Sequence, residues 1–346
     1  NTVCSDAAIG LTLATNGISV AAASYNVTSR TIAGGLTASA GNAPVPASGV
    51  AANYLAADSY VNLTTLPLNV TYAVSPVSAA GCAGSARTIT ITINPEPAVS
   101  TTLDATVCSD AAIGLTLSTV ATAVAASNYN ITAKVVAAGL TGDPGNVAVP
   151  AVGVAAGYLA GDKFTNTGAV PLTVKYTVVP VSAANCLGDP KVITITINPE
   201  PVVSTLLNAT VCSDVATGLT LNTNGVSVAA ANYNVTGHVI APGLTAAVGN
   251  AVVPAVGVAP NYLSADKFTN TGAVPLTVVY TVVPVSAGAC TGDPQTITIT
   301  ISPEPVLSPT LSLTQCSDVA IGLTLNTNGT SVAAQNYNIT SLSLAA

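Results

Sequence analysis

The sequence predicts an all-β chain of tandem antiparallel β-sandwiches, and three observations carry the prediction. The first is a strict repeat. Cys4, Cys108, Cys212 and Cys316 lie 104 residues apart, as do Cys82, Cys186 and Cys290. Tyr25, Tyr129, Tyr233 and Tyr337 keep the same interval. So do the Pro-Glu-Pro triplets Pro95–Pro97, Pro199–Pro201 and Pro303–Pro305. No insertion or deletion breaks the register, and a period of this length is the size of one autonomous domain. The second observation is alternation of period two in short runs. The third is what separates those runs: Gly, Pro, Asn and Ser clusters, with no sustained helical periodicity.

Within the first unit the elements follow in order. Ile9-Gly10-Leu11-Thr12-Leu13 alternates apolar and small polar residues and reads as a strand. Tyr25-Asn26-Val27-Thr28 begins another. Residues 33–60 are rich in Ala and Gly, with turn clusters at Gly41-Asn42 and Pro44-Val45-Pro46, and give no clear strand assignment. Leu68–Val74 places Leu68, Val70, Tyr72 and Val74 on one face. Thr88–Ile93 is the clearest strand, with Ile inward and Thr outward. Asn94-Pro95-Glu96-Pro97 ends it, because each proline removes a ladder donor and fixes φ. Short strands with regular turns in roughly 100 residues suit an immunoglobulin-like antiparallel sandwich. Trp is absent, so Tyr and branched aliphatics fill the core.

The Pro-Glu-Pro triplets set the boundaries: repeats at 1–97, 98–201 and 202–305, and the start of a fourth at 306–346. Val99, Leu103, Ala105 and Val107 suggest the first strand of the second repeat, so repeat 1 would lack that strand. The linkers built on Pro95, Pro97, Pro199, Pro201, Pro303 and Pro305 are short and stiff, which favours an extended rod. A sandwich strand spans roughly 30–35 Å, so each repeat would add on the order of 40 Å. The chain reads as a segment of a longer array.

Composition excludes several functions. Lys and Arg total 7 and Asp and Glu 14, with only 6% of residues charged. Seven cations cannot build a stripe that binds nucleic acid. No run of 18 apolar residues provides a membrane span. The hydrophobic content of 49% argues against disorder.

A regular cysteine framework with no CxxC pair and one His favours disulfides in an oxidising, extracellular place over metal ligation. Two pairings are open. Within a repeat they are Cys4–Cys82, Cys108–Cys186 and Cys212–Cys290, with the partner of Cys316 beyond the segment. Between neighbours they are Cys82–Cys108, Cys186–Cys212 and Cys290–Cys316. The first is the expectation, because closing so long a loop is worth roughly 4 kcal/mol.

Taken together, Val3-Cys4-Ser5-Asp6 with Ile9–Leu13, Val70-Thr71-Tyr72-Ala73-Val74-Ser75-Pro76, Gly81-Cys82-Ala83-Gly84, Thr88–Ile93 and Asn94–Pro97 resemble a PKD-like domain. The resemblance covers every unit, apart from a longer middle at 33–60. Such domains occur in giant surface arrays of Bacteroidota, similar to gliding-motility adhesins exported by the type IX secretion system. The resemblance implies an extracellular β-sandwich at the bacterial cell surface, with an adhesive or structural role and no catalytic residues.

Other candidate sites are sparse. Asp6, Asp58 and Glu96 recur in every complete unit. The sharp reading is calcium at each linker, held by Glu96 with Asp110 and by Glu200 with Asp214; calcium needs six to eight oxygens. Turn chemistry of the Cys-Ser-Asp segment is the favoured reading, so no cofactor is expected. His238 occupies the position of Arg30 and Lys134 and reads as a solvated strand position. Lys163 and Lys267 align with Ser59, which argues against a repeated isopeptide bond. The Asn-x-Thr sequons, Asn26 and Asn62 among them, follow from the Thr- and Asn-rich strand faces.

The leading functional expectation is a non-catalytic stalk whose partners are its own neighbouring repeats and an external surface. A polysaccharide-binding module is the alternative, provided Tyr54 and Tyr60 form an exposed platform. A self-assembling filament or surface-layer protein, with weakly charged faces packed laterally, is the third.

Overall fold

The computed structural model describes residues 1–344, and every regular element among them is a β-strand. Repeat 1 contains β1 (Thr2–Cys4), β2 (Ser24–Ile32), β3 (Leu36–Ala38), β4 (Ala47–Val50), β5 (Tyr60–Asn62), β6 (Leu68–Val77) and β7 (Arg87–Asn94). Repeat 2 contains β8 (Ala105–Cys108), β9 (Ala126–Val136), β10 (Thr141–Gly142), β11 (Ala151–Val154), β12 (Phe164–Thr165), β13 (Leu172–Ser182) and β14 (Lys191–Asn198). Repeat 3 contains β15 (Ala209–Cys212), β16 (Ala230–Ile240), β17 (Thr245–Ala246), β18 (Ala255–Val258), β19 (Phe268–Thr269), β20 (Leu276–Ser286) and β21 (Gln295–Ser302).

Each repeat is a sandwich of a five-stranded sheet and a two-stranded ribbon. In repeat 1 the sheet order is β1-β7-β6-β2-β4, and β3 pairs with β5. The long pairings are antiparallel, but β1 runs parallel to β7, with Cys4 opposite Asn94. β15 runs parallel to β21 in the same way, with Cys212 opposite Ser302. This pairing sets the Cys-Ser-Asp turn beside the Pro-Glu-Pro triplet of the same repeat.

The alternation in the sequence becomes the core. Val70, Tyr72, Val74, Ile91 and Ile93 are buried against Ile9, Leu13, Tyr25, Val27, Leu55 and Tyr60. Tyr72 also donates its hydroxyl to Asp58 Oδ2 at 2.7 Å, while Asp58 Oδ1 accepts the Ala43 N–H at 2.7 Å. Asp162 with Tyr176 and Asp266 with Tyr280 repeat the arrangement. The recurring Asp58 therefore anchors the Pro-Val-Pro loop from inside the domain.

Two expected strands differ. Ile9 and Leu13 are buried and the segment between them is bonded, with Ile9 N–H donating to Asp58 O and Leu13 N–H to Ala52 O, but it forms no ladder. Gly10 has φ +59°, a left-handed conformation that breaks the pleat. The strand expected over Val99–Val107 forms only over Ala105–Cys108, and repeat 1 carries its counterpart, Thr2–Cys4. Just before β8, Asp104 Oδ1 takes the Thr194 N–H at 2.8 Å, so a side chain replaces the backbone acceptor there. Among the described residues beyond Pro305 no strand forms; Leu307 makes an isolated bridge to Thr327.

By packing, the chain divides into two compact bodies whose border does not follow the repeats. One comprises Asn1–Val107, Ala111–Phe164 and Thr173–Ile197. The other comprises Cys108–Asp110, Thr165–Leu172 and the chain from Asn198 onward. Each body holds one junction between consecutive repeats.

Candidate functional site: the junction between repeats

The junction is built on the Cys-Ser-Asp turn. Ser5 N–H donates to Asn94 O at 2.9 Å, and the buried Ser5 Oγ accepts the Asn62 N–H at 2.8 Å. Asp6 sits at φ 62°, as Asp110 and Asp214 do at 59° and 58°. Asp tolerates this left-handed conformation better than most residues, which is the turn chemistry the sequence favours.

Asn62 is the hub behind the turn. It is fully buried, donates Nδ2 to Leu66 O and Ile93 O, and offers its own carbonyl to the Glu96 N–H at 3.0 Å. Asn166 and Asn270 accept the Glu200 and Glu304 N–H groups at 2.9 Å. The sequence reading passed over these asparagines except as a sequon; their recurrence at the repeat interval was the available signal.

The next repeat closes the junction with a loop. Cys186 forms a disulfide with Cys4, and Cys290 with Cys108, each pair 182 residues apart in sequence. Neither expected pairing forms. Cysteines of one repeat are held at opposite ends of the sandwich, and the neighbour's loop, not the repeat's own, lies against the Cys-Ser-Asp turn. Cys186 and Cys290 are buried, whereas Cys82, Cys212 and Cys316 are exposed thiols. Two residues beyond Cys186 the backbones touch: a Cβ on Gly188 would lie 1.7 Å from Pro97 O. A Cβ on Gly292 would lie 1.9 Å from Pro201 O. The linker carbonyl occupies the space that only glycine leaves.

The same loop brings a third acid. Asp110, Glu200 and Asp293 each place a carboxylate oxygen within 4.8 Å of the others, with Glu200 buried and both aspartates exposed. Burial, then the Asp110 and Asp293 charges, push the Glu200 carboxyl up to about 7, against the pull of the Ser109 hydroxyl. Glu96 is likewise pushed up to about 7, by burial and then by Asp6 and Asp189. The expected calcium pairs do not form: Glu96 meets Asp6 and not Asp110, Glu200 meets Asp110 and not Asp214, and Asp214 meets Glu304. The parallel β1–β7 pairing is the reason. The three carboxyl groups that do meet are Asp110, Glu200 and Asp293, and Asp110 Oδ1 also accepts the Thr165 hydroxyl.

The other sequence candidates lie elsewhere. Tyr60 is buried, and half-buried Tyr54 donates its hydroxyl to Pro44 O, so the two form no exposed platform. His238 is exposed, its ring 6.1 Å from that of Tyr280. A groove in repeat 1 is lined by Leu13, Thr15, Tyr25, Pro76 and Ile89. In repeat 2 the matching position is filled by linker residue Val99, which bridges to Thr119 and joins the core.

These features define a chain of β-sandwich repeats in which a disulfide joins repeat 1 to repeat 2 and another joins repeat 2 to repeat 3. The PKD-like domain matches residues 1–97, 105–201 and 209–305, and the chain belongs to that family. No curated protein matches it. Among solved structures, human CDH23 EC21-23 is similar at 11% identity over 86% of this chain and 97% of that chain, with a TM-score of 0.26. Drosophila N-cadherin EC1-4 is similar at 10% identity over 89% and 76%, with a TM-score of 0.20. The Bacteroides ovatus glucan-utilization protein SGBP-B, solved with a mixed-linkage heptasaccharide, is similar at 13% identity over 92% and 72%, with a TM-score of 0.15. Scores this low bear on nothing this chain does.

Proposed function

We propose that the chain is a non-catalytic stalk segment of an extracellular fibre on a bacterial surface, of the kind carried by Bacteroidota as gliding-motility adhesins exported through type IX secretion. One observation carries the reading: the junction is built twice with the same parts, a disulfide, a carbonyl seated on glycine and a carboxyl cluster. Effort spent on fixing one repeat to the next suits a part whose task is reach and strength. The disulfides favour an oxidising location outside the cell. The polysaccharide reading loses its main support because Tyr60 is buried.

Immunogold electron microscopy of producing cells, with an antibody against one repeat, tests the proposal. Gold strung along thin surface fibres is the expected result. Gold confined to released soluble protein would overturn it.

A further inference from the structure

We propose that the groove of repeat 1 is a docking site for an extended strand, the linker of another PKD-like repeat, with the pattern Pro-Glu-Pro-x-Val-Ser. The inference stands on the groove and its filled counterparts, not on the stalk reading.

The counterparts show what fills such a groove. Val99 bridges antiparallel to Thr119 in repeat 2, and Val203 to Thr223 in repeat 3. Both valines are buried in the cores of those repeats. Two backbone bonds flank each bridge. Ser100 N–H donates to Ser118 O at 2.9 Å, and Val120 N–H to Ala98 O at 2.9 Å. Ser204 N–H donates to Asn222 O at 3.0 Å, and Asn224 N–H to Val202 O at 2.9 Å. Repeat 3 adds a third bond, in which Ser227 Oγ accepts the Val202 N–H at 3.0 Å.

Repeat 1 has the same seat with no strand in it. By the repeat interval, Thr15 takes the place of Thr119 and Thr223, and Ser19 that of Ser227. Among the described residues, nothing bonds Ala14 O or the Asn16 N–H, the two groups that would flank the bridge. Ile193, Ile297, Pro180 and Pro284 are buried. Their equivalents Ile89 and Pro76 are only half-buried and line the groove with Leu13, Thr15, Ser19 and Tyr25. Ser227 is buried, whereas Ser19 is exposed.

The seat is already shaped for its occupant. Asn16 Oδ1 accepts the Ile18 and Ser19 N–H groups, just as Asn224 Oδ1 accepts those of Val226 and Ser227. Gly84 N–H donates to Pro76 O at 2.8 Å, as Gly188 N–H does to Pro180 O at 2.9 Å. The loop that meets the Pro97 carbonyl at Gly188 thus has the same form at Gly84. A strand can enter without rearranging the acceptor, which spares the ordering cost on that side. Main-chain bonds supply the affinity, and one branched aliphatic side chain in the groove supplies the selectivity.

The test adds a synthetic peptide of the sequence Pro199–Thr205 to the whole chain and follows amide exchange by NMR. One buried valine and three hydrogen bonds on a short strand imply a dissociation constant on the order of 1 mM. At about 10 mM peptide the Asn16 amide should exchange about 10-fold more slowly. The Asn224 amide, already bonded to Val202 O, should not change. A peptide carrying Val203→Asp should give no protection, because it would bury an unpaired charge. Ser19→Ala, at an exposed position, should weaken binding of the unaltered peptide about 5-fold. No protection of Asn16 at that concentration, or equal protection by the two peptides, would overturn the proposal. Neither readout depends on where the protein resides, so the docking site and the stalk reading can each fail alone.

Discussion

Gly188→Ala isolates the closest contact of the junction. The added Cβ would lie 1.7 Å from Pro97 O and 2.9 Å from the Pro97 carbonyl carbon. Ordinary contact requires more than 3 Å, so the linker would have to retreat by about 1.5 Å. Both parties are backbone, and Cys186, two residues away, is tied to Cys4 with 5.3 Å between Cα atoms. Little can relax, which places the cost near the top of the overpacking range, at about 3 kcal/mol. That raises the open population of the junction about 100-fold. Hydrogen exchange reads it at two amides: Gly188 N–H, bonded to Pro180 O at 2.9 Å, and Glu96 N–H, bonded to Asn62 O at 3.0 Å. The control is Gly84→Ala, the same motif position in repeat 1, where the nearest atom is a proline side-chain carbon at 3.0 Å. It should cost less than about 1 kcal/mol. Unchanged protection of Glu96 in Gly188→Ala, or equal loss in both variants, would refute the reasoning.

Two further predictions follow from the same site. The Glu200 carboxyl holds its proton up to about pH 7 in the folded junction, against 4.5 for a free glutamate, so its stabilisation is complete below about 4.5 and is lost as pH rises through 7. Up to about 3 kcal/mol is at stake, and thermal unfolding should move down between about pH 4.5 and pH 7; Glu200→Gln should flatten that dependence, as followed by calorimetry. Asn270→Ala leaves the Val274 and Ile301 carbonyls without their side-chain donor and should destabilise repeat 3 by about 2–4 kcal/mol, measured by denaturant unfolding.

The sandwich was legible because its strands alternate cleanly. Thr88–Ile93 and Leu68–Val74 carry their inward faces in the sequence, and Tyr72 with Ile91 and Ile93 is buried as read. Ile9–Leu13 has the right apolar spacing but hides a left-handed Gly10, and spacing cannot report φ. The short strands of the middle, Leu36–Ala38, Ala47–Val50 and Tyr60–Asn62, are too brief for any period to show. Among the junction residues, cysteine, aspartate and glutamate were visible by recurrence, but their partners were not. Asp189 and Asp293 escaped notice because repeat 1 has Ser85 at that position. The partnership of Glu96 with Asp6 follows from one parallel strand pair, a fact of topology that local sequence does not encode.

The disulfide pairing escaped for a related reason, and it shows what the folding unit is. Counting cysteines treats each repeat as a closed domain, yet half of each junction belongs to the neighbour. Glu96 and Glu200, covered by the following repeat's loop, are buried, whereas Glu304 is only half-buried. Cys290, docked on Cys108, is buried, while Cys82 and Cys212, with no docked partner, are exposed. The side chains are the same; what differs is the loop or turn of another repeat. The border between the two compact bodies says the same thing, since Cys108–Asp110 groups with the body that contains Cys290 and Asp293. A repeat therefore completes its neighbour, and the cysteine period records the spacing of junctions as much as the spacing of domains.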